Sequence, residues 1–183
     1  HQRARLLYGV QRTDIDHNAG DVKSCAEQTE YFPLNLSEAL SRCILDFDAR
    51  LEEKDIDLEV SLDQNLLLAS DEALLDLVWN NLISNAVKFT PAGGRVKISL
   101  RQERECAVVT VADSGCGMDA ETLRHIFDKF YQADSSHATQ GNGLGLALAK
   151  RVADLLGGSI AVESVPETGT VFTVRIPETV QHT

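Results

Sequence analysis

The sequence predicts an α+β fold: a two-layer α/β sandwich whose mixed, mostly antiparallel sheet of about five strands carries three main helices on one face. Three observations point there. Apolar residues recur at helical spacing in long runs, above all over 71–90. The segments between those runs alternate apolar and polar residues, or are apolar throughout, over strand lengths. Proline, glycine and short polar clusters separate them, so the order reads helix, strands, helix, two strands, loop, helix, two strands.

Taken in order, residues 1 to about 30 are polar, with scattered apolar positions such as Leu6, Val10 and Ile15 and a break at Asn18-Ala19-Gly20-Asp21. They cannot form a core alone and read as a connector. Phe32-Pro33-Leu34-Asn35-Leu36 is extended, and Ser37 is expected to cap a helix with Leu40, Ile44, Phe47 and Leu51 along one face. Ile56 to Val60 alternates strictly, as a strand with one wet face does, and Leu66 to Ala69 is a second short strand. Ser70 or Asp71 caps the next helix, which stops before Thr90-Pro91-Ala92-Gly93-Gly94. Residues 96–100 alternate again. Residues 106–112 are apolar throughout, as a central strand requires, with Cys106 read as a small core residue. A short helix from Asp119 to about Phe127 and a polar, aperiodic loop over 132–140, expected to be mobile, precede Gly141-Asn142-Gly143-Leu144-Gly145. An apolar helix ending at Gly157-Gly158 and a hairpin over 160–176 close the fold.

Composition narrows the function. Of 183 residues, 17 are Lys or Arg and 28 are Asp or Glu, a net charge of −11 that argues against general binding to nucleic acid backbones. A hydrophobic share of 43% suffices for a full core at this length. Apolar runs fall short of a membrane span, and no secretory signal opens the chain. The four cysteines form no CxxC pair, which suggests a reducing compartment without disulfides or zinc.

Three constellations carry chemistry. Asn81, Asn85 and Lys88 stack on one face of an otherwise apolar helix, at i, i+4 and i+7. An amide oxygen suits Mg²⁺ and an ammonium suits a phosphate; equally, Asn85 could satisfy nearby backbone and Lys88 could run its stem out to water. Asp113 ends an apolar strand just before Gly115, Gly117 and Met118. A carboxylate held there needs donors, such as the exocyclic amine of adenine, and the glycines would admit a flat ring; a simple turn cap is the alternative. Gly141, Gly143 and Gly145 lead into a helix, where backbone N–H groups form an anion site or, alternatively, only a flexible hinge. The loop is not a Walker motif, because no Gly-Lys-Ser/Thr follows, nor a dinucleotide fingerprint, because Leu146 stands at the third-glycine position and no strand immediately precedes. Together the three fit one Mg·ATP.

These residues closely resemble the ATP-binding catalytic domain of sensor histidine kinases, within the wider family of gyrase, heat-shock chaperone and mismatch-repair ATPases. Asn81-Leu82-Ile83-Ser84-Asn85-Ala86-Val87-Lys88-Phe89-Thr90-Pro91 resembles the N box, and Asp113-Ser114-Gly115-Cys116-Gly117-Met118 the first glycine box. Phe127-Asp128-Lys129-Phe130-Tyr131 resembles the F box, and Gly141-Asn142-Gly143-Leu144-Gly145-Leu146 the second glycine box. The resemblance implies a Bergerat sandwich over 34–177, preceded by the end of a dimerisation helix and a linker (1–33) and followed by a tail (178–183). It implies that ATP and Mg²⁺ are bound, with Asn85 as metal ligand, Asn81 in support, Lys88 on phosphate and Phe89, where the family often has tyrosine, beside ribose or base. Asp113 would read adenine in a pocket shaped by Gly115, Gly117 and Met118. Gly141, Gly143, Leu144, Gly145 and Leu146 would cradle phosphate, and Phe127 and Phe130 would anchor the base of a mobile lid.

Kinases of this family phosphorylate a histidine in a His-Glu-apolar-basic-x-Pro context. None of His1, His17, His125, His137 or His182 stands in one, so the acceptor is expected on an upstream dimerisation domain outside this chain. A response regulator, a homodimeric full-length protein, possible membrane anchoring and a cytoplasmic setting follow from the same resemblance. The alternative is a nucleotide-sensing or inactive relative that uses ATP only to set conformation. An ATPase of the chaperone or repair branch is disfavoured by the F box and the short lid.

Overall fold

Helix α3 (Glu72–Phe89) is the longest element among the described residues and its position sets the others. Asp71 caps it, accepting from Leu74 N at 3.2 Å, which is one of the two caps the sequence offers. Leu75, Val78, Trp79, Leu82, Ile83, Ala86 and Val87 are buried along one side. In the computed structural model, residues 33–132 and 143–178 are described. They lie in one unit spanning Tyr31–Thr183. The connector at the N-terminus, the loop over 133–140, Gly141 and the tail beyond Glu178 lie outside the described residues.

Five strands form the main sheet in the order β2-β4-β5-β7-β6: β2 (Asp57–Leu62), β4 (Arg95–Glu103), β5 (Cys106–Asp113), β7 (Gly169–Pro177) and β6 (Ser159–Val165). The β2–β4 pair is parallel and the others are antiparallel, so the sheet is mixed and mostly antiparallel, as the sequence predicts. A separate two-stranded ribbon pairs β1 (Pro33–Asn35) with β3 (Leu67–Ala69). Val96, Ile98 and Leu100 of β4, Val109 and Val111 of β5, and Phe172, Val174 and Ile176 of β7 point into one core shared with α1 (Leu36–Leu45), α3 and α5 (Gly145–Leu155). The core face of α3 carries Trp79, the largest buried side chain among the described residues, at 0% exposure; its Nε1 has no hydrogen-bond partner among them.

Four local readings need correction. Asn35, not Ser37, caps α1: its Oδ1 accepts from Glu38 N and also from Ser37 Oγ, which draws Leu36 into the core. The helix expected to run on through Leu51 breaks into α1 and α2 (Asp48–Glu53). The break is slight, with Phe47 N on Ile44 O and Leu51 N on Phe47 O, so Leu40, Ile44, Phe47 and Leu51 still share the buried side. Cys106 is half-buried, because it opens β5 at the sheet's end, opposite Glu103 and Pro177. On edge strand β2, Leu58 and Leu62 are half-buried and Val60 is exposed, as no outer strand covers them.

The C-terminus of α3 is held from outside. Thr90 Oγ1 donates to Ala86 O at 2.6 Å, and Lys54 Nζ donates to Val87 O at 2.6 Å and to Lys88 O at 3.2 Å. Gly93 N returns a bond to Lys54 O, and Asp57 N bonds to Gly94 O, so the turn before β2 is laced to the turn after α3. An ammonium on the last carbonyls of an 18-residue helix offsets its dipole as well as satisfying acceptors. Lys54→Met keeps the stem and removes the charge; it should lower unfolding stability in urea by about 2 kcal/mol, and an unchanged midpoint would contradict the lacing.

Candidate functional site

Three positions one helical turn apart on α3 organise the site. At the first, Asn81, the start of α5 comes so close that a Cβ on Gly145 would overlap Asn81 Oδ1. At the last, Phe89, the turn after β5 also comes close: a Cβ on Gly115 would lie 2.7 Å from Phe89 O. Between them stands Asn85, half-buried, with no side-chain hydrogen bond to a described residue. Its neighbours differ in this respect. Asn80 Nδ2 bonds back to Asp76 O at 2.9 Å and Asn81 Nδ2 to Leu77 O at 2.6 Å. The structure therefore brings residues of the N box, the first glycine box and the second glycine box together around one helix.

The remaining cation of the stripe, Lys88, is half-buried, and its Nζ lies 5.1 Å from the centre of the Phe89 ring. No carboxylate among the described residues forms an ion pair with it. Lys54 sits beneath the same helix end; sequence reasoning missed it, because its partners are backbone carbonyls that leave no mark in a motif.

Asp113 is half-buried where β5 ends, opposite Thr170 of β7. Its Oδ1 accepts from Gly115 N at 2.8 Å. Burial pushes its carboxyl above the ordinary value of 3.8, while the backbone amides of Gly115 and Thr170 pull the other way. A carboxylate has about four acceptor positions, so two amides leave room for a further donor. Beyond it, Gly117 takes φ +65° and lies against Val165 O, and Met118 N donates to Ser164 Oγ at 2.9 Å. Ser164 and the β6–β7 hairpin are thus the support of this turn, a role nothing in the sequence marked.

Of the second glycine segment, Gly143 adopts φ +69° and its carbonyl accepts from Phe130 N at 2.9 Å. Leu144 stands at the N-cap of α5, and no side chain caps the helix there. Leu146 packs against the core. The two F-box phenylalanines part ways. Phe127 meets the Phe172 ring edge-on at 6.5 Å and anchors the segment, whereas Phe130 is 73% exposed. Phe130 contributes through its backbone, at φ +62°, rather than through the anchoring ring the sequence suggested. His125 Nδ1 lies 2.8 Å from Asp128 Oδ2 and its ring contacts Tyr131, so it is engaged locally. Gly141 lies outside the described residues. A cavity of about 280 Å³ opens beside α1, lined by Ser37, Glu38, Ser41, Arg42 and Gln64, and none of the residues above lines it. No group of three His, Cys, Asp or Glu side chains among the described residues could hold a metal. No helix among them is long and apolar enough to cross a membrane.

Comparison with known proteins agrees with this layout. Residues 70–180 match the family described as histidine kinase-, DNA gyrase B-, and HSP90-like ATPase. The haem sensor protein HssS of Staphylococcus saprophyticus is 36% identical over 150 residues, which cover 80% of this chain and 32% of HssS. The chain spans about a third of the curated relatives it matches. The catalytic domain of histidine kinase ThkA superposes with a TM-score of 0.73 at 28% identity, covering 81% of this chain and 96% of that domain. ThkA solved with the response regulator protein TrrA gives 0.69 at 27% identity, covering 81% and 42%.

Gly117 offers a direct check of the turn. Alanine there meets both a left-handed backbone and the Val165 carbonyl, so Gly117→Ala should cost about 2 kcal/mol or more in urea unfolding. Wild-type stability in that variant would mean the turn is not held against the hairpin.

Proposed function

This chain belongs to the histidine kinase-, DNA gyrase B-, and HSP90-like ATPase family, and within it we propose that residues 34–177 are the catalytic domain of a two-component sensor histidine kinase, binding Mg·ATP along α3. The observation that carries the reading is the Asn85 carboxamide, without a hydrogen bond to any described residue, between two contacts that bring both glycine segments to the same helix.

The donor set fits the ligand. Asn85 offers an amide oxygen, and Mg²⁺ characteristically combines one or two protein oxygens with phosphate oxygens and water. When bound, a Mg²⁺ held through the Asn85 amide oxygen would neutralise phosphate charge. The start of α5, which has no side-chain cap, presents backbone N–H groups suited to phosphate, and Lys88 adds a point charge. Asp113 accepts from the adenine amine while Gly115 keeps the approach open, and Phe89 and Met118 flank base or ribose. Asn81 sits at the phosphate end of the same face.

The chain's work in phosphoryl transfer is then positioning and charge stabilisation. Asp113 fixes the base, Lys88 and α5 fix the phosphates, and the domain presents the terminal phosphorus to a histidine nitrogen on a separate dimerisation domain, with ADP leaving. The solved complex of ThkA with TrrA supports a response regulator as the onward acceptor.

Two measurements test this. Asn85→Ala should abolish the Mg²⁺-dependent part of ATP affinity and leave adenosine binding intact. Asp113→Asn should weaken adenine nucleotides by roughly tenfold to a hundredfold, the range of a hydrogen bond to a charged group. Binding uses the ionised carboxylate, so wild-type affinity is full above the raised Asp113 value and falls as pH drops through it; the Asn variant should lack that fall. Labelled ATP should give phosphohistidine only when a dimerisation domain is supplied. Unchanged titrations for both variants, or strong self-labelling of the chain alone, would refute the reading.

A further inference from the structure

Asn81 and Asn85 share a face of α3 but not a situation. Asn81 Nδ2 is committed to Leu77 O at 2.6 Å, one turn back, and this assigns Oδ1 to the opposite side of the amide. That side is where Gly145 lies. A Cβ built on Gly145 would overlap Asn81 Oδ1 and come to 3.2 Å from its Cγ. Gly145 does not have a positive φ, in contrast to Gly117 and Gly143. It is the first residue of α5 in ordinary helical structure, so the backbone would accept alanine. Glycine is required there by the space Asn81 occupies. Asn81 could yield only by giving up its bond to Leu77 O or leaving its rotamer.

We propose that Asn81 is a positioning residue and not a ligand of metal or phosphate: its carboxamide, pinned to Leu77, is the seat on which the first turn of α5 rests, setting the distance between that turn and Asn85. The pair is complementary in size, a short amide against a missing side chain, and holds the N-terminus of α5 one helical turn from the Asn85 carboxamide. The space a side chain on Gly145 would need is already taken by Asn81 Oδ1. A looser fit would leave the backbone N–H groups of α5 short of phosphates held from the α3 side. The proposal rests on the reading of α3 as a Mg·ATP site.

A double-mutant cycle on the 183-residue chain tests it, with Gly145→Ala, Asn81→Ala and the combination. The readouts are Mg·ATP and adenosine affinity by calorimetry and the thermal midpoint. Gly145→Ala should weaken Mg·ATP about tenfold while adenosine affinity holds, because adenosine lacks the phosphates that α5 receives. Asn81→Ala should weaken Mg·ATP only about threefold and keep its Mg²⁺ dependence. The combination should return to within about threefold of Asn81→Ala, since removing the amide makes room for the new methyl. Losses that multiply in the double variant would overturn the seat, as would an Asn81→Ala that abolishes Mg²⁺ dependence. If the wild-type chain binds no Mg·ATP, the site reading fails by itself. The seat is then judged on thermal midpoints, where Asn81→Ala should restore what Gly145→Ala lowers and additive losses would sink it.

Discussion

The arrangement depends on how closely one helix can be approached. Helix α3 meets the turn after β5 at Phe89 and the start of α5 at Asn81, and at both places the approaching residue has no side chain. Packed interiors leave no slack for an added methyl group, so these two contacts set distances on the polar side of α3 to within a fraction of an ångström. The face between them is left with a carboxamide that no hydrogen-bonding group among the described residues engages. Two of the three asparagines on this helix fold back onto the preceding turn; the third, Asn85, stands between the glycine contacts.

Electrostatics pull against the net charge. A chain at −11 would repel a polyphosphate at long range, but beyond about 10 Å at ordinary salt that repulsion is largely screened. Local features are what count at contact. Lys88 and Lys54 gather at the C-terminal end of α3, and the start of α5 lies against the helix two turns earlier. The exception is Asp113, an acid kept half out of water at some cost to its ionisation and steadied by two backbone amides.

Much of this was legible in the sequence, and the gaps have a common cause. The spacing of Leu75, Val78, Leu82 and Ala86 marks α3, alternation over 96–100 marks β4, and the Thr90-Pro91 stop is where the helix ends. Those signals are local and periodic. Errors arose where two local signals competed, as when Asn35 rather than Ser37 took the cap of α1. They also arose where edge position overrode composition, as at Cys106 and Val60. What stayed hidden is long-range: the β1–β3 ribbon, the Lys54 clamp, the Ser164 support and the contact between Asn81 and Gly145, sixty-four positions apart. The site residues were nameable from their types and order, but Phe130 shows the limit. Its place in the motif was readable, and the exposure of the residue was not.

Helix α3 keeps its two duties on separate sides. The stripe from Leu75 to Val87 builds the core, while Asn81, Asn85 and Lys88 lie off it. Mutational drift can therefore act on the two sides almost independently. A lineage that loses the polar stripe keeps a fold with its core intact, free to persist as a scaffold or a conformational relay. A change at Trp79 or Leu82 removes the platform and everything mounted on it. The fold should thus outlive its chemistry far more often than the chemistry outlives the fold.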